Sequence, residues 1–313
     1  MKKRTAILIL TLITIFCFVP MSASAAESNV IRVSNQKEFE EAIARVNKDS
    51  DSEYTIELTA DFSVNGFSIT SPHKTTILGS GHTLTMGGGG SVSVSKGAEL
   101  TLGAADGNVL NIRSAEGTSN DAPGMLNIEG TCNMYSGVTL SGREGNNYFG
   151  GGVAVAASYE EISGGLGNLK SSVEILGGKV EENQAKNGAG VFASAYYYAF
   201  ANAICADTPA AGASKKPGLY VKNAQISDNT AGTSDGMGGG VLVVALKSPA
   251  AASIETTNVK ENKAATGVGI ASYGYYTNMN IKGCTVTENI ANKFSVHRAR
   301  EGGAQGIHRL CQH

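Results

Sequence analysis

The sequence predicts an all-β protein in which coils of short parallel strands, three to a coil, stack into a single solenoid. Three observations lead to this prediction: short runs of alternating apolar and polar residues, turns rich in Gly, Asn and Ser between them, and a motif that recurs four times in the second half. Alternation with a period of two is typical of strands, and repetition at intervals of about 20–50 residues is typical of solenoids. With 40 Gly and 42% hydrophobic residues, the composition excludes both collagen and a disordered chain.

The first 25 residues are typical of a secretory signal peptide. Residues 2–4 are basic, residues 6–19 are apolar and residues 23–25 are small, which is the order that export and cleavage require. The apolar stretch is too short to be a comfortable membrane span. We therefore expect a secreted, extracellular or cell-surface protein, with no transmembrane segment in the mature chain.

One helix is predicted after the signal peptide, at about residues 35–47. Its apolar side chains recur at spacings of three and four, and Asn35 with Glu38 has the spacing of a capping box. Every later apolar run alternates with polar residues, so the rest of the domain is predicted to consist of strands and turns.

The strongest pattern is an asparagine that recurs in aligned segments, within clear repeats over about residues 125–292. Val or Ile stands three residues before it, an acidic residue one before it, and an alanine two after it. A glycine-rich strand with the pattern G-x-G-[VI] follows in three of the segments. Stacked coils place equivalent residues in columns, so we expect the asparagines to turn inward at one corner and bond to each other and to the corner backbone. They are Asn183, Asn229, Asn262 and Asn289.

The pairing of [VI]-x-[DE]-N with G-x-G-[VI] resembles the repeats of bacterial surface proteins of the right-handed parallel β-helix, pectin-lyase-like superfamily. It is similar to the F-x-x-N and G-G-A-[ILV] repeats of polymorphic outer-membrane adhesins, with Val or Ile in place of Phe. The resemblance covers about residues 30–292, and it implies a right-handed β-helix domain at 26–292 whose first coil is capped by the helix at about 35–47. Function stays open, because the superfamily includes lyases, hydrolases, adhesins and plain surface spacers.

The C-terminal residues depart from the repeat. Residues 293–313 lack the glycine-rich strand expected after Asn289, and they hold three Arg and three of the five His. We expect an atypical tail, which either caps the last coil or is the altered end of a longer gene.

The sequence contains no recognisable set of catalytic residues. Pectin-degrading relatives gather aspartates with Arg or Lys on one strand face, whereas this chain has only eight Asp and lacks the N-T-D, G-H-G and R-I-K strings of polygalacturonases. A net charge of -2 also gives no basic face for nucleic acid. We therefore predict a non-catalytic adhesion, glycan-contacting or structural surface module, with a polysaccharide or a host or cell-surface partner. The alternative is a polysaccharide lyase or glycoside hydrolase on the same scaffold.

The acidic residues that precede the repeated asparagines form one predicted column. Neighbouring carboxylates on one side of the solenoid either chelate calcium or form a solvated surface, where nearby lysines reduce the repulsion between their charges. Calcium is thus the single cofactor that the sequence leaves open, and no other metal site is predicted. The column consists of Glu182, Asp228, Glu261 and Glu288.

Tyrosines recur where the third strand of a repeat leaves its coil. Parallel coils would place them along one edge, where flat rings stack on sugar faces or make protein contacts. Alternatively, the rings fold over their own loops. This candidate contact site consists of Tyr159, Tyr196, Tyr197, Tyr198, Tyr275 and Tyr276.

Overall fold

The computed structural model describes most of the chain between residues 29 and 291. The described ranges are 29–49, 52–117, 124–145, 150–156, 159–162, 165–169, 172–194, 218–232, 234–245, 250–274 and 277–291. The predicted signal peptide and the predicted C-terminal tail lie outside these residues. Within them, no helix is both long enough and apolar enough to cross a membrane.

The described residues form one helix, α1 (Gln36–Lys48), and strands of two to six residues. In chain order the strands are β1 (Asn29–Val33), β2 (Tyr54–Leu58), β3 (Phe62–Val64), β4 (Phe67–Ile69), β5 (Lys74–Leu78), β6 (Thr83–Met86), β7 (Val92–Val94), β8 (Glu99–Leu102), β9 (Leu110–Ser114), β10 (Leu126–Ile128), β11 (Thr131–Tyr135), β12 (Val138–Ser141), β13 (Val153–Ala156), β14 (Tyr159–Ile162), β15 (Gly165–Leu169), β16 (Ser172–Leu176), β17 (Lys179–Glu181), β18 (Gln184–Ala185), β19 (Val191–Ser194), β20 (Leu219–Lys222), β21 (Gln225–Ser227), β22 (Thr230–Ala231), β23 (Val241–Ala245), β24 (Ala250–Glu255), β25 (Asn258–Lys260), β26 (Lys263–Ala264), β27 (Ile270–Gly274), β28 (Thr277–Lys282), β29 (Thr285–Thr287) and β30 (Ile290–Ala291).

Three long sheets with only parallel pairing run along the molecule. Sheet A has the order β1-β2-β5-β8-β11-β16-β20-β24-β28, sheet B runs from β3 to β29, and sheet C runs from β4 to β27. From β2 onward, the chain visits sheets A, B and C in turn and then returns to A, one strand further along. This is the predicted right-handed parallel β-helix, in agreement with the right-handed crossovers that parallel strands favour.

A fourth strand is present in each of the last four coils and was not predicted. The two-residue strands β18, β22, β26 and β30 form a small sheet, sheet D, directly after each repeated asparagine. The alanine two residues after the asparagine ends each of these strands, and its small side chain packs in a separate cluster of alanines. One antiparallel pair, β14 with β15, forms a hairpin between β13 and β16.

The core consists of columns of apolar side chains from equivalent positions in successive coils. Because the strands of sheets A, B and C pair in parallel and in register, inward-facing residues stack on inward-facing residues. One column of sheet A consists of Ile56, Ile77, Leu102, Met134, Ile175, Val221 and Ile254, all of them buried. Burying an aliphatic side chain of this kind stabilises a fold by about 1.5–3 kcal/mol.

Helix α1 covers the N-terminal end of the solenoid. Asn35 caps it by accepting a hydrogen bond from the Glu38 N–H at 3.1 Å, and the Glu38 carboxylate accepts from the Ser34 N–H at 2.7 Å. Hydrogen bonds to the Glu38 carboxylate, from the Ser34 N–H first and then from the Ser34 hydroxyl, lower the pKa of Glu38. The buried ring of Phe39 packs edge-on against Phe67, with centroids 4.9 Å apart. The helix therefore shields interior side chains of the first coil from water.

Candidate functional site

The repeated asparagines form a ladder at the corner between sheets B and D. The side-chain amide of each of the first three donates to Oδ1 of the asparagine in the next coil, over 3.1, 3.0 and 2.9 Å along the series. The backbone N–H of the same residue donates to the same oxygen at 3.1 Å. Asn183, Asn229 and Asn262 have no exposed surface, whereas Asn289, in the last coil, is partly exposed. The ladder thus satisfies buried polar groups along the axis and holds the coils in register.

The glycine-rich strands pack on the ladder of the following coil. A Cβ on Gly190 would lie 3.0 Å from Asn229 Nδ2 and 2.5 Å from the carbonyl oxygen of Gly240. Gly152 and Gly269 stand in the same relation to the asparagines of their own next coils. The two halves of the repeat motif therefore meet between coils, which explains why both recur together.

Arg143 occupies the asparagine position in the coil before the ladder. Its backbone N–H donates to Asn183 Oδ1 at 3.1 Å, so it continues the ladder through the main chain. Its side chain is buried and donates from Nη1 to the carbonyl oxygen of Gly90, two coils away, at 2.9 Å. Burial lowers the pKa of the guanidinium to about 10, so the group remains a cation at neutral pH.

The acidic column lies next to the ladder, on the outside of the same corner. All four residues have left-handed backbone, with φ between 56° and 58°. Glu261 pairs with Lys260 at 2.9 Å, and this hydrogen bond and charge lower the pKa of Glu261 and raise that of Lys260. No three His, Cys, Asp or Glu side chains among the described residues are placed to hold a metal ion. Calcium binding by this column stays a prediction.

The predicted tyrosine site lies almost wholly outside the described residues. Tyr196, Tyr197, Tyr198, Tyr275 and Tyr276 are not described, and Tyr159 is described only as the first residue of β14. The neighbouring Tyr273, in β27, is 52% exposed. The tyrosine contact site therefore also stays a prediction.

A groove of about 480 Å³ lies along the corner between sheets A and B. It crosses four coils, from the one that contains β11 and β12 to the one that contains β24 and β25. This volume falls within the range of small-molecule sites in proteins. The groove is lined by Gly137, Val138, Thr139, Gly178, Lys179, Asn223, Ala224, Gln225, Thr256 and Asn258.

The groove is deeper than the surface around it because the residues of its floor have small side chains or none. A Cβ on Gly178 would overlap the carbonyl oxygen of Val138, and a Cβ on Gly137 would lie 2.7 Å from the carbonyl oxygen of Asn108. Both glycines have positive φ, and Ala224 follows in the next coil. Close backbone contact between coils thus keeps larger side chains out of the floor.

The rim of the groove contains two turn residues with left-handed backbone, Asn223 at φ 54° and Thr256 at φ 45°. The Thr256 hydroxyl donates to Asn223 Oδ1 at 2.5 Å. A β-branched residue rarely adopts this backbone conformation, and the equivalent residue in the next coil is Gly283. The structure therefore keeps a hydroxyl at this rim at the expense of backbone strain.

The wall on the sheet B side consists of polar residues that point outward from successive strands. Lys179, Gln225 and Asn258 pair in register across β17, β21 and β25. Oδ1 of Asn258 is buried and has no hydrogen-bond partner in the structure. Sequence reasoning missed this wall, because polar residues at outward strand positions are expected on any exposed sheet. The recurrence of a polar residue four positions before each asparagine was the available signal.

The fold, the ladder and the groove define the class of protein. It is a parallel β-solenoid with an internal asparagine ladder and rows of polar side chains on its outer surface. Comparisons with protein-family models, with curated proteins and with solved structures gave no match.

Proposed function

We propose that this protein is a secreted or cell-surface module that contacts glycans or cell-surface partners without catalysis. In this proposal it is a pectin-lyase-like β-helix of the adhesin type, as its repeat motifs suggest. The basic, apolar and small residues at 1–25 support export.

One observation carries the proposal: the outward faces of sheets A and B present rows of polar side chains, one per coil. Neighbouring coils are about 4.8 Å apart, so an extended polymer with repeating units meets similar groups at regular steps along the axis. The row on sheet B is Thr139, Lys179, Gln225, Asn258 and Thr285. The row on sheet A is Asn133, Glu174, Tyr220, Ser253 and Asn280.

Three described carboxylates have shifted pKa values, and none of the three has the raised pKa of a general acid. Glycoside hydrolysis needs a general acid, which is usually a carboxyl group with a raised pKa. The described carboxylates with shifted pKa values are Glu38, Asp61 and Glu261, and in all three the pKa is lowered by hydrogen bonds to the ionised form. These groups remain ionised at neutral pH and are poor proton donors.

The test combines binding with product analysis. Purified mature protein is applied to an array of neutral and acidic polysaccharides and, in parallel, incubated with the same polymers with and without calcium. We expect retention on a subset of polymers and no change in their chain length. New reducing ends or unsaturated products would show that the protein is a hydrolase or lyase. Retention on none of the polymers would contradict glycan contact.

A further inference from the structure

We propose that the groove between sheets A and B binds an uncharged, hydroxyl-rich glycan chain that lies parallel to the solenoid axis. This inference rests on the proposed function and assigns it to a particular surface. It is independent of the tyrosine edge, because every residue that lines the groove is described.

The side chain of Asn258 is the group in the groove that lacks a hydrogen-bond partner. Its Oδ1 is buried without a hydrogen bond, although an unpaired buried acceptor costs about 1–3 kcal/mol. A hydroxyl group can satisfy the amide, since it donates and accepts.

The other lining groups favour an uncharged ligand. Lys179 is the only charged residue among those that line the groove, and Glu181 lies 4.0 Å from its ammonium. The remaining polar groups are the amides of Asn223 and Gln225 and the hydroxyls of Thr139 and Thr256. Amides and hydroxyls bind sugar hydroxyls through paired donors and acceptors, whereas a polyuronate would bring many negative charges to a single lysine.

An extended peptide fits the groove less well than a glycan. Peptides that bind by strand addition need a free sheet edge, and the B strands at the groove, from β12 to β25, are paired on both sides. The floor of Gly137, Gly178 and Ala224 also has no side chain larger than a methyl group. The surface therefore suits a ligand that is recognised by hydroxyl groups along its length.

The experiment compares variants of the full chain by calorimetric titration. The probes are linear hexasaccharides of neutral hexoses in several linkages, with hexagalacturonate as the acidic probe. Asn258→Ala and Gln225→Ala alter the groove, whereas Gln184→Ala removes an exposed amide on sheet D, outside the groove and the polar rows of sheets A and B, and serves as the matched control. Asn258 makes no side-chain hydrogen bond in the structure, so Asn258→Ala should melt at the wild-type temperature or above it.

We expect Asn258→Ala to weaken binding of a neutral hexasaccharide about tenfold or more, as the loss of one hydrogen bond predicts, with no change for Gln184→Ala. Equal affinity of wild type and both groove variants would overturn the groove assignment while leaving glycan contact elsewhere intact. Preference for hexagalacturonate would overturn the uncharged ligand. Failure of the wild type to bind any probe or any arrayed polymer would overturn this inference and the proposed function together.

Discussion

Gly240 lies against the side-chain amide of Asn262, one coil further along the solenoid. A Cβ on Gly240 would lie 3.2 Å from Asn262 Nδ2 and would overlap the carbonyl oxygen of Gly269. The glycine therefore leaves the space in which the amide bonds to Asn289 Oδ1 and to the carbonyl oxygens of Ile226 and Lys260. Each coil of the repeat half thus depends on a glycine in the coil before it.

Gly240→Ala should destabilise the protein by about 1–3 kcal/mol, because the added methyl group overpacks a closed interior. Gly232→Ala is the matched control, since no atom lies closer than 3.4 Å to a Cβ at that position and its φ is not left-handed. The measurement is urea unfolding of both variants and the wild type. Equal losses in the two variants would show that the contact with Asn262 is not the cause.

Asn262→Ala and Asn229→Ala should each lower the free energy of unfolding by about 1–3 kcal/mol, since each leaves buried carbonyl groups without a donor. Asn289→Ala should cost less, because that residue is partly exposed at the end of the ladder. Asn127→Ala, at a half-buried outward position of β10, is the control and should change stability by less than about 0.5 kcal/mol. If all four variants had the same melting temperature, the ladder would contribute nothing to stability.

Thr256→Asn should stabilise the protein by about 0.5–1 kcal/mol. Left-handed backbone costs about 1–2 kcal/mol for most L-residues, whereas asparagine tolerates it and already occupies the equivalent position 223. Thr287→Asn, on an exposed extended strand, controls for the change of side chain. Thermal unfolding of both variants provides the measurement. A lower melting temperature for Thr256→Asn would mean that the hydroxyl bond to Asn223 outweighs the strain.

Acid should destabilise the protein partly through Asp61. Its carboxylate accepts the Thr83 N–H at 2.9 Å and lies 3.1 Å from His82 Nδ1, and these bonds, that of Thr83 first, lower its pKa below 3.8. Because the folded-state pKa is depressed, the stabilising contribution is fully present above pH 3.8 and is lost as pH falls through the folded-state value. Asp61→Asn should therefore flatten the stability profile below this pH.

The measurement is the urea midpoint of wild type and Asp61→Asn across the acid range. Lys263→Gln, at an exposed position of β26 far along the solenoid, is the control and should leave the acid profile unchanged. Identical slopes for wild type and Asp61→Asn below pH 3.8 would exclude Asp61 as the linked group.

The sequence was sufficient for the fold because the solenoid is built from local patterns. Alternation places Ile175 and Val180 inside, and Phe39 faces inward on the helical spacing of α1. Equivalent residues recur at fixed offsets from Asn183, so stacking follows from the repeat alone. Sheet D could not be predicted, since two-residue strands such as β18 carry no periodic signal.

The groove and the strained rim were decided only by tertiary structure. Nothing in the sequence near Thr256 indicates left-handed backbone, because the corner is imposed by stacking on Asn223 and Gly283. The buried, unpartnered Oδ1 of Asn258 likewise has no signal in the sequence. The sequence by itself therefore determined which residues face inward and which columns they join, since both depend on local period. The position and depth of a surface groove depend on how closely separate coils approach, and that distance is fixed only when the coils are packed.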